Sequence, residues 1–105
     1  MSVKKQFSNF DELIESSKLP VLVDFYAPWC GPCQLMARIL EEVSEQMQDK
    51  VQIVKINTDN YPELASQYKV FALPTLVLFN NAEPVTRIEG VIHADQLCDR
   101  INEYI

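Results

Sequence analysis

Two hydrophobic rhythms run along the chain. After Pro20, "VLVDFYA" is apolar on both faces except at Asp24. Such a run predicts a strand covered on both sides, as in a sheet flanked by helices. "VQIVKI" repeats the pattern, interrupted by Lys55. "PTLVLF" predicts a third strand, which opens on a proline at the one strand position where proline is readily tolerated. Between the first two runs the rhythm changes. Met36, Ile39, Leu40, Val43 and Met47 recur at spacings of three and four, with charges on the far face. That spacing predicts a long amphipathic helix starting at the end of the first strand.

Shorter segments fill the gaps. "SNFDELIESS" predicts a helix with Phe10, Leu13 and Ile14 on its apolar side, Ser8 as N-cap and Asp11 at N3. "VKKQF" ahead of it is compatible with a short edge strand. "NTDNYPELASQYKV" predicts a loop and short helix, with Asn60 as cap, Pro62 in the first turn and Glu63 at N3. "NNAEP" predicts a turn and "VTRIEG" a strand returning as a hairpin. "IHADQLCDRINEYI" predicts a closing helix with Leu97, Ile101, Tyr104 and Ile105 on one face. The order β–α–β–α–β–α–β–β–α implies an α/β fold in a single domain spanning 1–105. Its mixed central sheet has a parallel half and a C-terminal antiparallel hairpin, with helices on both faces.

Composition narrows the function. The 105 residues are 48% hydrophobic and 23% charged, and the formal net charge is −6. An acidic chain is a poor match for phosphate backbones or an anionic membrane surface, so neither nucleic acid nor membrane is an expected partner. No stretch approaches the roughly 20 apolar residues of a membrane span. "MSVKKQFSNF" has two lysines but no apolar run behind them, unlike a secretory signal. The expected location is the cytoplasm, or a plastid stroma after loss of a transit segment. With no G-x-G-x-x-G and no phosphate loop, no bound cofactor is expected. Three cysteines are too few, and odd in number, for a secreted disulfide scaffold.

Two of them, Cys30 and Cys33, stand in "YAPWCGPCQLMA" at the strand-to-helix junction. The spacing alone fits half a zinc site, a fixed disulfide or a reversible electron carrier. Zinc wants four ligands, and the other soft donors, His93 and Cys98, are five apart across a helix start, a poor chelating geometry. A fixed disulfide wants an oxidising compartment, which nothing in the sequence indicates. Reversible chemistry needs a thiolate, and a reference thiol is only about 3% ionised at pH 7. A helix N-terminus lowers thiol pKa. Cys30, at that end, is expected to be exposed and to attack; Cys33, one step into the helix, is expected to be covered and to resolve the mixed disulfide. Asp24 in an apolar strand calls for a partner or a raised pKa, and a raised pKa suits a proton shuttle.

"DFYAPWCGPC" resembles the active-site segment of thioredoxins, and the resemblance extends over nearly the whole chain. "VKINTDNYPELASQYKV", "ALPTLVLF" and "RIEGVIHADQL" resemble the family's third strand and following helix, its cis-proline loop and its last strand and helix. Several stretches look most like the y-type thioredoxins of plastids and cyanobacteria. The resemblance implies a protein disulfide reductase cycling Cys30 and Cys33, serving general redox homeostasis. Asp24 would be the buried carboxylate assisting Cys33, and Lys55 its buried partner. Pro74 would be the cis-proline facing the cysteines, with the Leu73 backbone pairing with an extended substrate. Trp29, Gly31, Pro32, Pro74, Gly90 and Val91 would form a flat apolar docking surface. Implied partners are disulfide-containing proteins, peroxiredoxins or other antioxidant enzymes among them, and an NADPH- or ferredoxin-linked thioredoxin reductase. The chain would act as a monomer.

Departures from the family pattern are few. Arg38 replaces a helix-kinking proline, which implies a straighter helix. Gln34 replaces the usual lysine after the second cysteine. Ala82 replaces the hairpin glycine, so Asn80 or Asn81 is expected at φ > 0. Pro32 stands where oxidases and isomerases of this fold carry histidine, which favours the reductase over that alternative; a redox-gated binding module is the other. His93 reads as a helix cap, and Cys98 as a small buried hydrophobe.

Overall fold

A computed structural model describes residues 10–105. The "VKKQF" strand and the Ser8 cap lie outside the described residues. Eight elements follow: α1 (Phe10–Ser16), β1 (Val21–Tyr26), α2 (Gly31–Gln46), β2 (Gln52–Asn57), α3 (Pro62–Gln67), β3 (Thr75–Asn80), β4 (Glu83–Glu89) and α4 (Ala94–Asn102). The sheet order is β2-β1-β3-β4. β1 runs parallel to β2 and antiparallel to β3, and β3 pairs antiparallel with β4. The expected mixed sheet is therefore present, with helices on both faces.

The strand pleat sorts β1 between two cores. Val21, Val23 and Phe25 join Phe10 and Ile14 of α1, Val54 and Ile56 of β2, and Val77 and Phe79 of β3. Leu22 joins Met36, Ile39, Leu40 and Val43 of α2, Leu76 and Leu78 of β3, and Leu97 and Ile101 of α4. Asp24 shares the parity of Leu22, so it stands on the α2 side of the sheet. Lys55, its register partner on β2, stands on the same side.

Boundaries depart from expectation where local chemistry competes. β3 begins at Thr75, one residue after Pro74, whose bond to Leu73 is cis. The hairpin turn shrinks to Asn81 and Ala82, with φ of 54° and 67°, so Ala82 shares the left-handed conformation expected of an asparagine alone. Two consecutive positive φ values suit the right-handed twist of the strands, and β4 then starts at Glu83. The cap of α3 is Tyr61, not Asn60, and the Tyr61 side chain makes no capping hydrogen bond. Asn57 already organises the turn, its side chain accepting from the Asp59 N–H at 2.9 Å. His93 is the N-cap residue of α4 but its side chain caps nothing. Tyr104 and Ile105 lie past the end of α4 and are exposed, rather than on its buried face. α2 is one unbroken helix through Arg38.

Candidate active site

β1 carries the chain to the top of the sheet, and four residues separate its end from the start of α2. Cys30 is the N-cap residue of α2, in extended conformation, with Gly31 and Pro32 opening the helix. Its Sγ accepts the Cys33 backbone N–H at 3.2 Å. A donor from the first helical turn thus points at the sulfur where a thiolate would carry its charge. Cys30 and Cys33 are joined as a disulfide, with Cα atoms 5.3 Å apart.

Both cysteines are covered: Cys30 is 6% exposed and Cys33 4%. The expectation of an exposed Cys30 is corrected, because its sulfur is turned inward onto Cys33 and packs with Ala27 and Leu73. The two still differ in access. Cys30 lines an open groove of about 460 Å³ together with Trp29, Gly31, Pro32, Thr58, Val70, Phe71 and Leu73, and Cys33 does not.

Asp24 is 1% exposed, and neither carboxylate oxygen has a hydrogen-bond partner among the described residues. Burial pushes its pKa up to about 6, against an opposing pull from the Lys55 ammonium. Lys55 is not the buried partner expected. It is half-buried, and its Nζ lies 5.0 Å from the centre of the Tyr26 ring. A cation over an aromatic face keeps some of its hydration while gaining the ring's attraction, a compromise that direct contact with a desolvated carboxylate lacks.

The docking residues divide. Trp29 is 71% exposed, and its Nε1 donates to Asp59 Oδ2 at 3.2 Å, which fixes the indole at the groove rim. Gly31 and Pro32 are exposed beside it. Pro74 is buried, so it does not contribute open surface as expected; β3 starts at the next residue. Its carbonyl accepts the Gly90 N–H at 2.8 Å and so draws the loop after β4 against the cis-proline loop. Gly90 has φ of 91°, a conformation that favours glycine. Val91 is exposed but stands outside the groove lining. The Leu73 backbone N–H and C=O make no hydrogen bond among the described residues. An extended chain could pair there, one residue from Pro74 and in contact with the cysteines.

Comparison with known proteins decides the family. The thioredoxin family model matches residues 1–103. This chain belongs to the thioredoxin family. A thioredoxin-like protein of Synechocystis sp. is 54% identical over 105 residues, the full length of both chains. The chloroplastic thioredoxin Y of Oryza sativa subsp. japonica is 55% identical over 98 residues, which cover 93% of this chain and 58% of that protein. The crystal structure of chloroplastic thioredoxin z superposes with a TM-score of 0.82 at 38% identity, over 90% of this chain and 85% of that one. The y-type resemblance holds, and the disulfide-linked pair identifies a thiol–disulfide oxidoreductase of the thioredoxin type.

Four residues of this thioredoxin's site escaped the sequence: Thr58, Asp59, Val70 and Phe71. Asp59 and Thr58 reach the site because β2 runs parallel to β1 and ends beside it, with Thr58 N–H donating to the Tyr26 carbonyl at 2.8 Å. Phe71 carried one signal. It falls after α3 has ended and before β3 begins, a large apolar residue with no periodic place in either.

Proposed function

We propose that the protein reduces disulfides in target proteins, with Cys30 as nucleophile and Cys33 as the resolving thiol. The observation that carries this assignment is the difference in access: Cys30 lines the open groove and receives a helix N-terminal N–H, while Cys33 is behind it. The Cys30 thiolate attacks one sulfur of the target disulfide. That S–S bond breaks, the departing target sulfur takes up a proton, and a mixed disulfide forms. Cys33 then loses its proton, with Asp24 as acceptor, and attacks the Cys30 sulfur. The second target cysteine leaves as a thiol, and the two electrons delivered leave Cys30 and Cys33 oxidised. A carboxyl with a pKa near 6 is suited to take a proton at neutral pH and return it. Lys55 holds Asp24's ionised form within reach.

Trp29, Gly31, Pro32 and Leu73 bind the target around Cys30, with Gly90 and Val91 beside the groove and Pro74 supporting Leu73 from behind. The electrons reside in the cysteine pair itself, so the cycle runs without a bound cofactor. A thioredoxin reductase, NADPH- or ferredoxin-linked, restores the dithiol. Peroxiredoxins and other antioxidant enzymes are fitting acceptors. The protein works as a monomer, in the cytoplasm or in a plastid stroma. The similarity to plastid and cyanobacterial thioredoxins supports either compartment.

The test is trapping. Reduced Cys33→Ser, mixed with oxidised target proteins, should hold them as mixed disulfides through Cys30 that dithiothreitol releases. Cys30→Ser should hold none. Trapping by Cys30→Ser alone would invert the two roles.

A further inference from the structure

Phe71 is 85% exposed, more than any other large apolar side chain among the described residues. It takes no part in either core cluster. Folding therefore gives no reason for a phenylalanine there, and water gives a reason against it. Its position supplies a reason. Phe71 lines the same groove as Cys30 and Trp29. Val70 and Leu73, on either side of it in the chain, line the groove as well. Thr58 is the one polar side chain in the lining, and no charged side chain contributes. The Asp59 carboxylate nearest the groove is engaged by the Trp29 indole. An uncharged, apolar groove selects an apolar occupant, because a charged or hydrogen-bonding side chain would lose water without gaining a partner.

We propose that Phe71 is a specificity-determining residue, which with Trp29 grips an apolar side chain flanking the cysteine under attack in the target polypeptide. This rests on the disulfide reductase assignment and names the class of target that assignment leaves open. The occupant follows from continuity: the groove contains Cys30, so whatever delivers a sulfur to Cys30 passes between these walls. An extended segment aligned on the free Leu73 backbone groups projects alternate side chains to one face. The residues two before and two after its cysteine therefore share the cysteine's direction. They lie about 7 Å from it along the strand. Targets with leucine, isoleucine, valine, methionine or an aromatic residue at those places are preferred; targets with serine, glycine or acidic residues there are not. Phe71 touches no reacting sulfur and acts only through this contact.

Two synthetic peptides test the preference. Each has one cysteine linked as a disulfide to 2-mercaptoethanol, with leucine in one peptide and serine in the other at both positions two residues from the cysteine. The fully reduced protein, including Phe71→Ser and Phe71→Leu, reduces each peptide, and also bis(2-hydroxyethyl) disulfide, which has no side chain to grip. The unsubstituted protein should favour the leucine peptide by about tenfold, the low end of what an apolar pocket discriminates. Phe71→Ser should erase that ratio by slowing the leucine peptide about tenfold more than the serine peptide. Phe71→Leu should keep most of it. The small disulfide, which has no side chain to grip, should be slowed by Phe71→Ser no more than the serine peptide is. A ratio near one in the unsubstituted protein, or a ratio unchanged in Phe71→Ser, overturns the inference while leaving the reductase assignment standing. Failure to reduce all three probes overturns the assignment itself. Equal slowing of every probe by Phe71→Ser makes Phe71 structural and also overturns the inference.

Discussion

The two faces of the sheet are built from the same strands to different ends. On the α1 and α3 side the filling is apolar and aromatic. The Phe10 ring centre lies 5.7 Å from Phe79 and 5.8 Å from Tyr68, and Tyr68 and Phe79 are 5.4 Å apart, all three pairs edge-to-face. Such geometry adds to simple burial. On the α2 and α4 side Leu22, Met36 and Leu97 pack as tightly, but the sheet also presents Asp24 and Lys55 there. A buried carboxyl with two unsatisfied oxygens weakens the fold. One face stabilises the domain. The other gives up part of that stability to keep a titratable group on the side of the sheet that α2 and its cysteines cover. Asp24 and Phe25 are consecutive residues, and the pleat alone assigns them to opposite sides.

Breaking the aromatic face has the larger effect. Phe25 is 0% exposed. Phe25→Ala should lose about 3–5 kcal/mol of unfolding free energy, the usual range for emptying a buried phenylalanine site. Urea unfolding of the disulfide-linked protein measures it. The loss should be the same at pH 4 and pH 8, since the one titratable ring against Phe25, that of Tyr68 at 6.3 Å, has its pKa pushed up by burial from an already alkaline value, and the pH profile of disulfide reduction should keep its midpoint. A loss that varies with pH would mean that the two faces are not separable.

Asp24→Asn should act with the opposite sign. The Asp24 pKa rises from 3.8 to about 6 on folding. Between those values the folded state holds a proton that the unfolded state has released, so stability falls as pH rises from about 4 to about 6, then levels off. The difference corresponds to about 3 kcal/mol. Asn has no charge to desolvate, so Asp24→Asn should be more stable than the parent by up to about 3 kcal/mol at pH 8 and equal to it near pH 3. Its mixed disulfides should also resolve more slowly at neutral pH, for want of the proton acceptor. Equal stability at pH 8 would show that Asp24 is solvated rather than buried.

This division explains what could be read from the chain in advance. Continuous apolar runs predict β1 and β3 because both faces of those strands are covered, and the three-and-four spacing predicts α2 because only one of its sides is. Asp24 stood out for the same reason: a lone carboxylate in such a run needs an explanation. Cys30 and Cys33 were legible from their position between a strand end and a helix start. The groove was not. It is assembled from the ends of three segments far apart in the chain, at Trp29, Thr58 and Phe71, and its shape follows from which strands neighbour one another. The burial of Pro74 and the placement of Lys55 over Tyr26 are likewise outcomes of packing, which hydrophobic spacing does not encode.

Lys55 gives the finest test of where the boundary between stability and chemistry lies. Its ammonium lowers the Asp24 pKa, though burial outweighs it, and it also rests on the Tyr26 ring. Lys55→Met removes the charge and keeps an unbranched stem to cover Tyr26. The Asp24 pKa should then rise further above its reference value. At pH 8, where Asp24 is ionised, the variant loses an attraction and should be less stable, by no more than about 1 kcal/mol because Lys55 is partly solvated. Near pH 3, with Asp24 protonated in both states, the two proteins should match more closely. Catalysis should report the same shift from the other direction. Resolution of the mixed disulfide needs ionised Asp24 as acceptor, so the acidic limb of the rate profile should move to higher pH. A limb that stays in place while stability falls equally at both pH values would assign Lys55 to Tyr26 and the packing of β1. A limb that moves assigns it to the proton path, and places the chemical face of the sheet as far out as β2.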